Sequence, residues 1–284
     1  MKKIIWICSY PKSGNTWIRS IVSSLLYSKN GEFNFNLLNL IELFEKKSRY
    51  DFVKKVNISD YKNLNDDIEI ISKYWLECQK NIVFDDSINP IYNIFKTHSA
   101  NLSVNSNDFT NTNYTGGIIH VVRDPREVVI SYSKHRGKSI DDTIETMSDL
   151  RTLSAQNNIC IGLLSKWDLH YKSWKNLNVP SLLIKYEELI NNTKSEIIKI
   201  KSFLSNILDL KENILEKKID NILKTTNIEN FRKHEINYGF EESSLHSSFF
   251  GNAKTNSWEK KLSKNQIKKI EELFKEIMNE LNYV

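Results

Sequence analysis

The chain has 284 residues, 40% hydrophobic and 26% charged, with only 8 glycines and 4 prolines. This suits one large α/β domain over residues 1–284 with a sizeable core, and it excludes a glycine-rich linker or low-complexity tail. The formal net charge of +5 fits a solvated lysine-rich surface biased toward anionic ligands; with no dense basic stripe, nucleic acid is not an expected partner.

Lys3 to Ser9 reads as a buried strand, and Thr16 to Tyr27 as a helix with apolar Trp17, Ile18, Ile21, Val22, Leu25 and Leu26 on one side. Leu37 to Phe44 and Asp67 to Cys78 are expected to be helical, and Ile91 to Lys96 a short strand. Gly117 to Arg123 is a second strongly apolar strand, and Pro125 suits the first position of a following helix. Leu163 to Trp174 reads as a helix, Ser181 to Lys185 as a third strand, and a helical stretch follows from Glu187. In the last helix Ser263 and Gln266 have capping-box spacing, and Ile267, Ile270, Leu273, Phe274, Ile277, Met278 and Leu281 form one stripe. Apolar strands flanked by helices imply a parallel sheet covered on both faces. In such sheets ligands gather at the carboxyl ends of the strands.

The N-terminal Met1-Lys2-Lys3 and apolar run have the outward form of a secretion signal. The run stops at Ser9, where a motif begins that cleavage would destroy. No apolar run approaches the roughly 20 residues that span a bilayer. Three scattered cysteines, Cys8, Cys78 and Cys160, argue against a disulfide framework or a zinc site. A reducing cytoplasm is the expected location, and the Lys/Asn/Ile-rich composition points to an AT-rich genome.

Three polar stretches stand at predicted strand ends. The first is Ser9 to Trp17, S-Y-P-K-S-G-N-T-W. Unpaired N–H groups at a helix N-terminus, a single glycine for close approach, hydroxyls and amides from Ser13, Asn15 and Thr16, and the charge of Lys12 make an oxyanion cradle. It is not a P-loop in the strict sense, because Lys12 precedes the only glycine, Gly14. The second stretch is F-K-T-H-S, Phe95 to Ser99. Here His98 is a candidate general base, and Lys96 projects to the same side if the strand continues. A lone histidine is more often structural; the strand end and the neighbouring lysine reverse that preference. The third runs from Val121 to Ser133, where Arg123 offers a planar fork for a phosphate, Asp124 a helix cap and Ser131 a hydroxyl. Its plain alternative is a capping motif with a surface arginine.

Taken together, these stretches resemble the cytosolic-type sulfotransferases, which use 3'-phosphoadenosine 5'-phosphosulfate (PAPS). The family's Y-P-K-S-G-T-T-W appears as Tyr10 to Trp17, with Asn15 the one departure. Its K-T-H appears as Lys96-Thr97-His98, and its R-[ND]-P-[RK]-[ED]-x-x-x-S as Arg123 to Glu127 with Ser131. Its Y-E-[ED]-[LM] appears as Tyr186 to Leu189. Order and spacing run in family fashion over most of the chain. The last family motif, R-K-G-x-x-G-D-W, is matched only by Gly251 to Trp258, which keeps Trp258 but lacks the Arg-Lys-Gly triplet. Lys254, or Arg232 with Lys233, are the candidate replacements.

The resemblance implies a P-loop-like three-layer sandwich, a central parallel sheet flanked by helices. It implies in-line transfer of a sulfuryl group from PAPS to a hydroxyl or amine, without a metal. His98, Lys12 and Lys96 are the implied catalytic residues. Lys12, Ser13, Gly14, Asn15, Thr16, Trp17, Arg123, Ser131, Tyr186 and Lys254 are the implied cofactor-binding residues. Tyr186 and Trp258 also fit plain packing roles. The acceptor is expected to be a small molecule or saccharide, held by segments such as Phe33 to Asp60, Arg136 to Asn158 and Glu235 to Phe250, and a homodimer is compatible with the resemblance. Two alternatives remain: an inactive nucleotide-binding or scaffold relative, and a P-loop kinase-like phosphotransferase.

Overall fold

The computed structural model describes residues 2–84, 92–156, 158–210, 216–244, 246–251 and 255–284. Four strands form the central sheet: β1 (Ile4–Ser9), β2 (Ile94–Thr97), β3 (Thr115–Val122) and β4 (Ser181–Lys185), in the order β2-β1-β3-β4. All three pairings are parallel. In β1, Ile5 and Ile7 enter the core on one side of the sheet, and Ile4, Trp6 and Cys8 the core on the other. β3 divides the same way, with Ile119 and Val121 on the first side and Ile118 on the second. A strand buried on both faces has no reason to alternate apolar with polar, which is why these runs read as continuous.

Helices cover both faces. α1 (Asn15–Tyr27) packs Ile18, Ile21, Val22 and Leu25 onto the first side. On the second, Trp6 is fully buried among the rings of Phe44, Phe95, Phe109 and Trp174. A third cluster joins α2 (Pro125–Arg136), α3 (Trp167–Lys175) and the C-terminal α6 (Lys264–Glu280) beyond the carboxyl end of β3. α4 (Tyr186–Asn191) follows β4 directly, and α5 (Ile228–Tyr238) lies further along the chain. This is the α/β sandwich expected from the sequence. Cys8, Cys78 and Cys160 are free, buried thiols.

Several local expectations are corrected. Leu37–Phe44 is not a helix: a 3-10 turn covers Phe35–Leu40, and the chain then runs extended along β2. There Lys96 N donates to Glu42 O and Phe44 N to Lys96 O, both at 2.9 Å. The open edge of β2 supplies partners that helix propensity cannot outweigh. Asp67 to Cys78 is two helices, Ile68–Ser72 capped by Asp67 and Trp75–Phe84, rather than one. The helix expected from Leu163 begins at Trp167, because Ile159–Leu163 pairs with Leu153–Gln156 as an antiparallel hairpin. β2 begins at Ile94; Ile91 lies outside the described residues. The predicted caps are present: Asp124 accepts from Arg126 N with Pro125 at the first turn, and Ser263 with Gln266 closes a full capping box.

Candidate active site at the carboxyl edge of the sheet

Register builds the site. Cys8 lies opposite Thr97, Ser9 opposite Val121, and Val122 opposite Lys185. The residues that follow each strand, Tyr10–Gly14, His98, Arg123 and Tyr186, are thereby ranged along one edge of the sheet. Pro11, Lys12, Gly14, His98, Arg123 and Tyr186 open onto a cavity of about 1440 Å³ that also takes in Ser131, His135 and Arg232, whereas Tyr10 and Ser13 face a separate small cavity beside His120 and His170.

The loop after β1 is tightly determined. Gly14, the N-cap of α1, has φ +103°. A Cβ there would meet the Tyr186 ring at 2.5 Å, so the position excludes any side chain on two grounds. Lys12 also lies in the left-handed region, at φ +65°. No side chain caps α1, so its first N–H groups are left to a ligand or water. Ser13 Oγ is buried without a hydrogen-bond partner. Asn15 is turned away from the cradle: its Nδ2 donates to Ile7 O and Ser9 Oγ, both at 3.1 Å. Where the sequence suggested a ligand donor, the side chain braces the loop against β1. Trp17 packs edge-on to Tyr186, ring centroids 6.1 Å apart.

Lys12 places its ammonium over the Phe249 ring, 3.6 Å from the centroid. Burial lowers its pKa to about 8. Lys96 is buried at 6% exposure on β2.

His98 is held by the backbone at the end of β1. Its Nδ1 lies 2.8 Å from Ser9 O. A carbonyl oxygen only accepts, so Nδ1 carries the proton and the lone pair sits on Nε2. Burial, then the nearby charge of Lys96, lowers its pKa to about 4, so the ring is a neutral proton acceptor at pH 7. His170 holds the same segment from behind, with Nε2 3.1 Å from His98 O.

Arg123 is positioned by three contacts. Nη1 donates to Lys12 O at 3.2 Å, Nη2 faces Glu127 at 3.4 Å, and the guanidinium lies 4.3 Å over the Tyr186 ring. Its Nε is buried without a partner. Arg126, three residues on, is structural, since it binds Asp124, Glu271 and Tyr283 O and stacks on Trp258 at 3.8 Å. Trp258 thus packs between Arg126 and the cluster that holds the C-terminal helix. Glu127 accepts from Ser257 Oγ and Trp258 N, and Glu187 from Asp124 N. Lys254 lies outside the described residues. Arg232 and Lys233 are both exposed, and Arg232 lines the cavity. Arg136 is committed to Thr146 at 2.7 Å. Phe240, Phe249 and Phe250 pack tilted and edge-on against one another, and Phe250 is buried in the core.

Three further residues belong to the site and were not singled out in the sequence. Arg19, one turn into α1, and Glu242, after α5, form an ion pair at 2.5 Å. Lys96 joins the same carboxylate at 2.6 Å. Glu45 Oε1 accepts from Thr97 and Ser99, the residues on either side of His98, while its Oε2 is buried without a partner. The one signal for Arg19 was a charge inside the apolar face of a helix; Glu242 and Glu45 carried none.

The model of the sulfotransferase domain matches residues 2–282. The chain belongs to the sulfotransferase family. It is 28% identical to sulfotransferase 1B1 of Mus musculus over 240 residues, 82% of this chain and 67% of that protein. It is 26% identical to the 3-beta-hydroxysteroid sulfotransferase of Cavia porcellus over 168 residues, 57% of this chain and 55% of that one. Among solved structures, retinol dehydratase in complex with androsterone and inactive cofactor PAP matches 97% of this chain and 80% of its own, with TM-score 0.63 and 17% identity. Mouse sulfotransferase SULT7A1 complexed with PAP gives TM-score 0.59, 17% identity, 98% and 85%. Among its described residues this sulfotransferase has no helix long and apolar enough to cross a membrane.

Proposed function

We propose that the protein transfers a sulfuryl group from PAPS to a hydroxyl or amine of a small-molecule or saccharide acceptor, with His98 as the general base. One observation carries this reading. His98 is anchored through Nδ1 on Ser9 O, which leaves its basic Nε2 free, and it lines the same cavity as Lys12, Thr16 and Lys96.

The residues fit such a donor. The free N–H groups at the start of α1 and Thr16, which lines the cavity, suit a 5'-phosphate. Arg123, with its unpartnered Nε, and Ser131 suit the 3'-phosphate that distinguishes PAPS from ATP. Tyr186 and Trp17 shape the cradle, and Arg232 and Lys254 are candidates for the missing triplet. When bound, PAPS supplies an activated sulfuryl group on a phosphosulfate linkage. His98 takes the acceptor's proton on Nε2. Lys12 neutralises charge on the bridging oxygen, and Lys96 orients the transferring group.

A thermal shift with adenosine 3',5'-bisphosphate (PAP), against AMP, ADP and ATP with magnesium, tests the donor. A rise for the bisphosphate alone supports the reading. A rise only with ATP and magnesium points to the kinase-like alternative, and no rise at all to an inactive relative.

A further inference from the structure

The proposed roles leave two members of one buried network, Arg19 and Glu242, unused. Glu242 reaches into the cradle, where Oε1 accepts from Arg19 Nη1 at 2.5 Å and from Lys96 Nζ at 2.6 Å. Its Oε2 accepts from Thr16 Oγ1 at 3.1 Å. All three donors stand on rigid elements, α1 and β2. Arg19 is aimed by its other nitrogens: Nε donates to Ile41 O at 3.0 Å and Nη2 to Leu38 O at 3.1 Å. Arg19 and Lys96 are 5% and 6% exposed, so they are two buried cations facing one carboxylate. Burial works to raise the Glu242 pKa, but Lys96 and Arg19 together hold it well below the usual carboxylate range. The carboxylate is a permanent anion.

We propose that Arg19, Lys96 and Thr16 form the subsite for the transferring sulfuryl group of the donor, and that Glu242 is a built-in anion that fills this subsite until the donor displaces it. This inference rests on the donor reading above. A sulfuryl group, like a carboxylate, presents oxygens that share a negative charge, and it accepts from the same donors. Two such anions cannot share one guanidinium edge and one ammonium in a buried site, because like charges at contact repel strongly there. The carboxylate touches the phosphate-cradle residue Thr16 on one oxygen and the K-T-H lysine on the other. It therefore spans the place where a 5'-phosphosulfate joins its phosphate to its sulfuryl group. Arg19 thereby becomes a specificity residue that distinguishes the sulfated nucleotide from its desulfated product.

The test is calorimetric binding of PAPS and of PAP, without acceptor, to the full chain, E242Q and R19M, each checked for folding by its melting curve. Removing the competing charge in E242Q should tighten PAPS about tenfold, the equivalent of one hydrogen bond to a charged group, with a smaller gain for PAP. R19M should weaken PAPS about tenfold and leave PAP within about twofold. If E242Q binds PAPS no better than the native chain, or worse, Glu242 is not a competitor and the proposal fails. If R19M loses both ligands equally, Arg19 only shapes α1 and the subsite assignment fails. Should R19M not fold, since it also strips Ile41 O and Leu38 O of their donor, the E242Q comparison decides alone. A native chain that binds neither nucleotide overturns the donor reading itself, whereas normal binding with an unchanged E242Q overturns this inference only.

Discussion

Lys12 combines strain and charge. A non-glycine residue at φ +65° carries about 1 kcal/mol of backbone strain, so K12G should keep or slightly raise the melting temperature while removing turnover. Because burial lowers Lys12 to about 8, the ammonium discharges as pH rises through that value. The ratio kcat/KM for the donor should fall above it, read from a pH series at constant ionic strength. His98 acts in the opposite sense. It must be neutral to accept a proton, and its pKa of about 4 puts the acid limb of kcat/KM near that value rather than near the ordinary 6.5. H98A should lower kcat by about 10²–10⁴-fold and leave PAP affinity nearly unchanged; an equal loss of both would make the histidine structural. Gly14→Ala meets Tyr186 at 2.5 Å in a left-handed position and should cost about 1–3 kcal/mol, seen as a lower urea midpoint.

At the scale of elements, the strand ends are the instrument of the site. Lys12, Lys96, His98 and Arg123 were legible in the sequence because each stands just beyond, or at the end of, a conspicuous apolar strand. Their convergence follows from parallel pairing with aligned ends. The edge of β2 was not legible. The pairing of residues 42–44 beside Lys96 joins segments more than fifty positions apart, and no local pattern announces it. The hairpin before α3 was missed for a related reason, since a short apolar run serves a strand or a helix equally well. α6 was the clearest element, and its capping box is complete. Ser263→Ala should therefore cost about 1 kcal/mol, measured as a shift in thermal midpoint with activity retained.

For the whole molecule, the buried histidines govern acid stability. Burial lowers His120 to about 3 and His98 to about 4, and it holds His170 well below its ordinary value. The unfolded chain protonates these rings near pH 6.5 while the folded chain does not, so the unfolded state binds more protons as pH falls from about 6.5 toward 4. Stability is complete above the unfolded value and is lost across that window. Glu45 and Glu187, whose pKa values burial raises, act against this trend, and His135, which burial lowers to about 4, adds to it. Urea midpoints should fall steadily from pH 7 to about pH 5, and a flat profile would contradict the neutral state assigned to His98.

The sequence by itself determined the strands of the sheet, the loop that leads into α1, the family and most of the charged groups of the site. Each depends on local chemistry: apolar runs, a glycine where no Cβ fits, a lysine or histidine at a strand end. The tertiary structure alone decided that Asn15 braces the loop, that Arg126 and Trp258 hold the C-terminal helix, and that Arg19 and Lys96 share Glu242. Those partners lie 223 and 146 residues from it. A carboxylate in a polar loop looks like any solvated charge until folding buries it between two cations, and the cost of burying those cations unpaired is what brings it there.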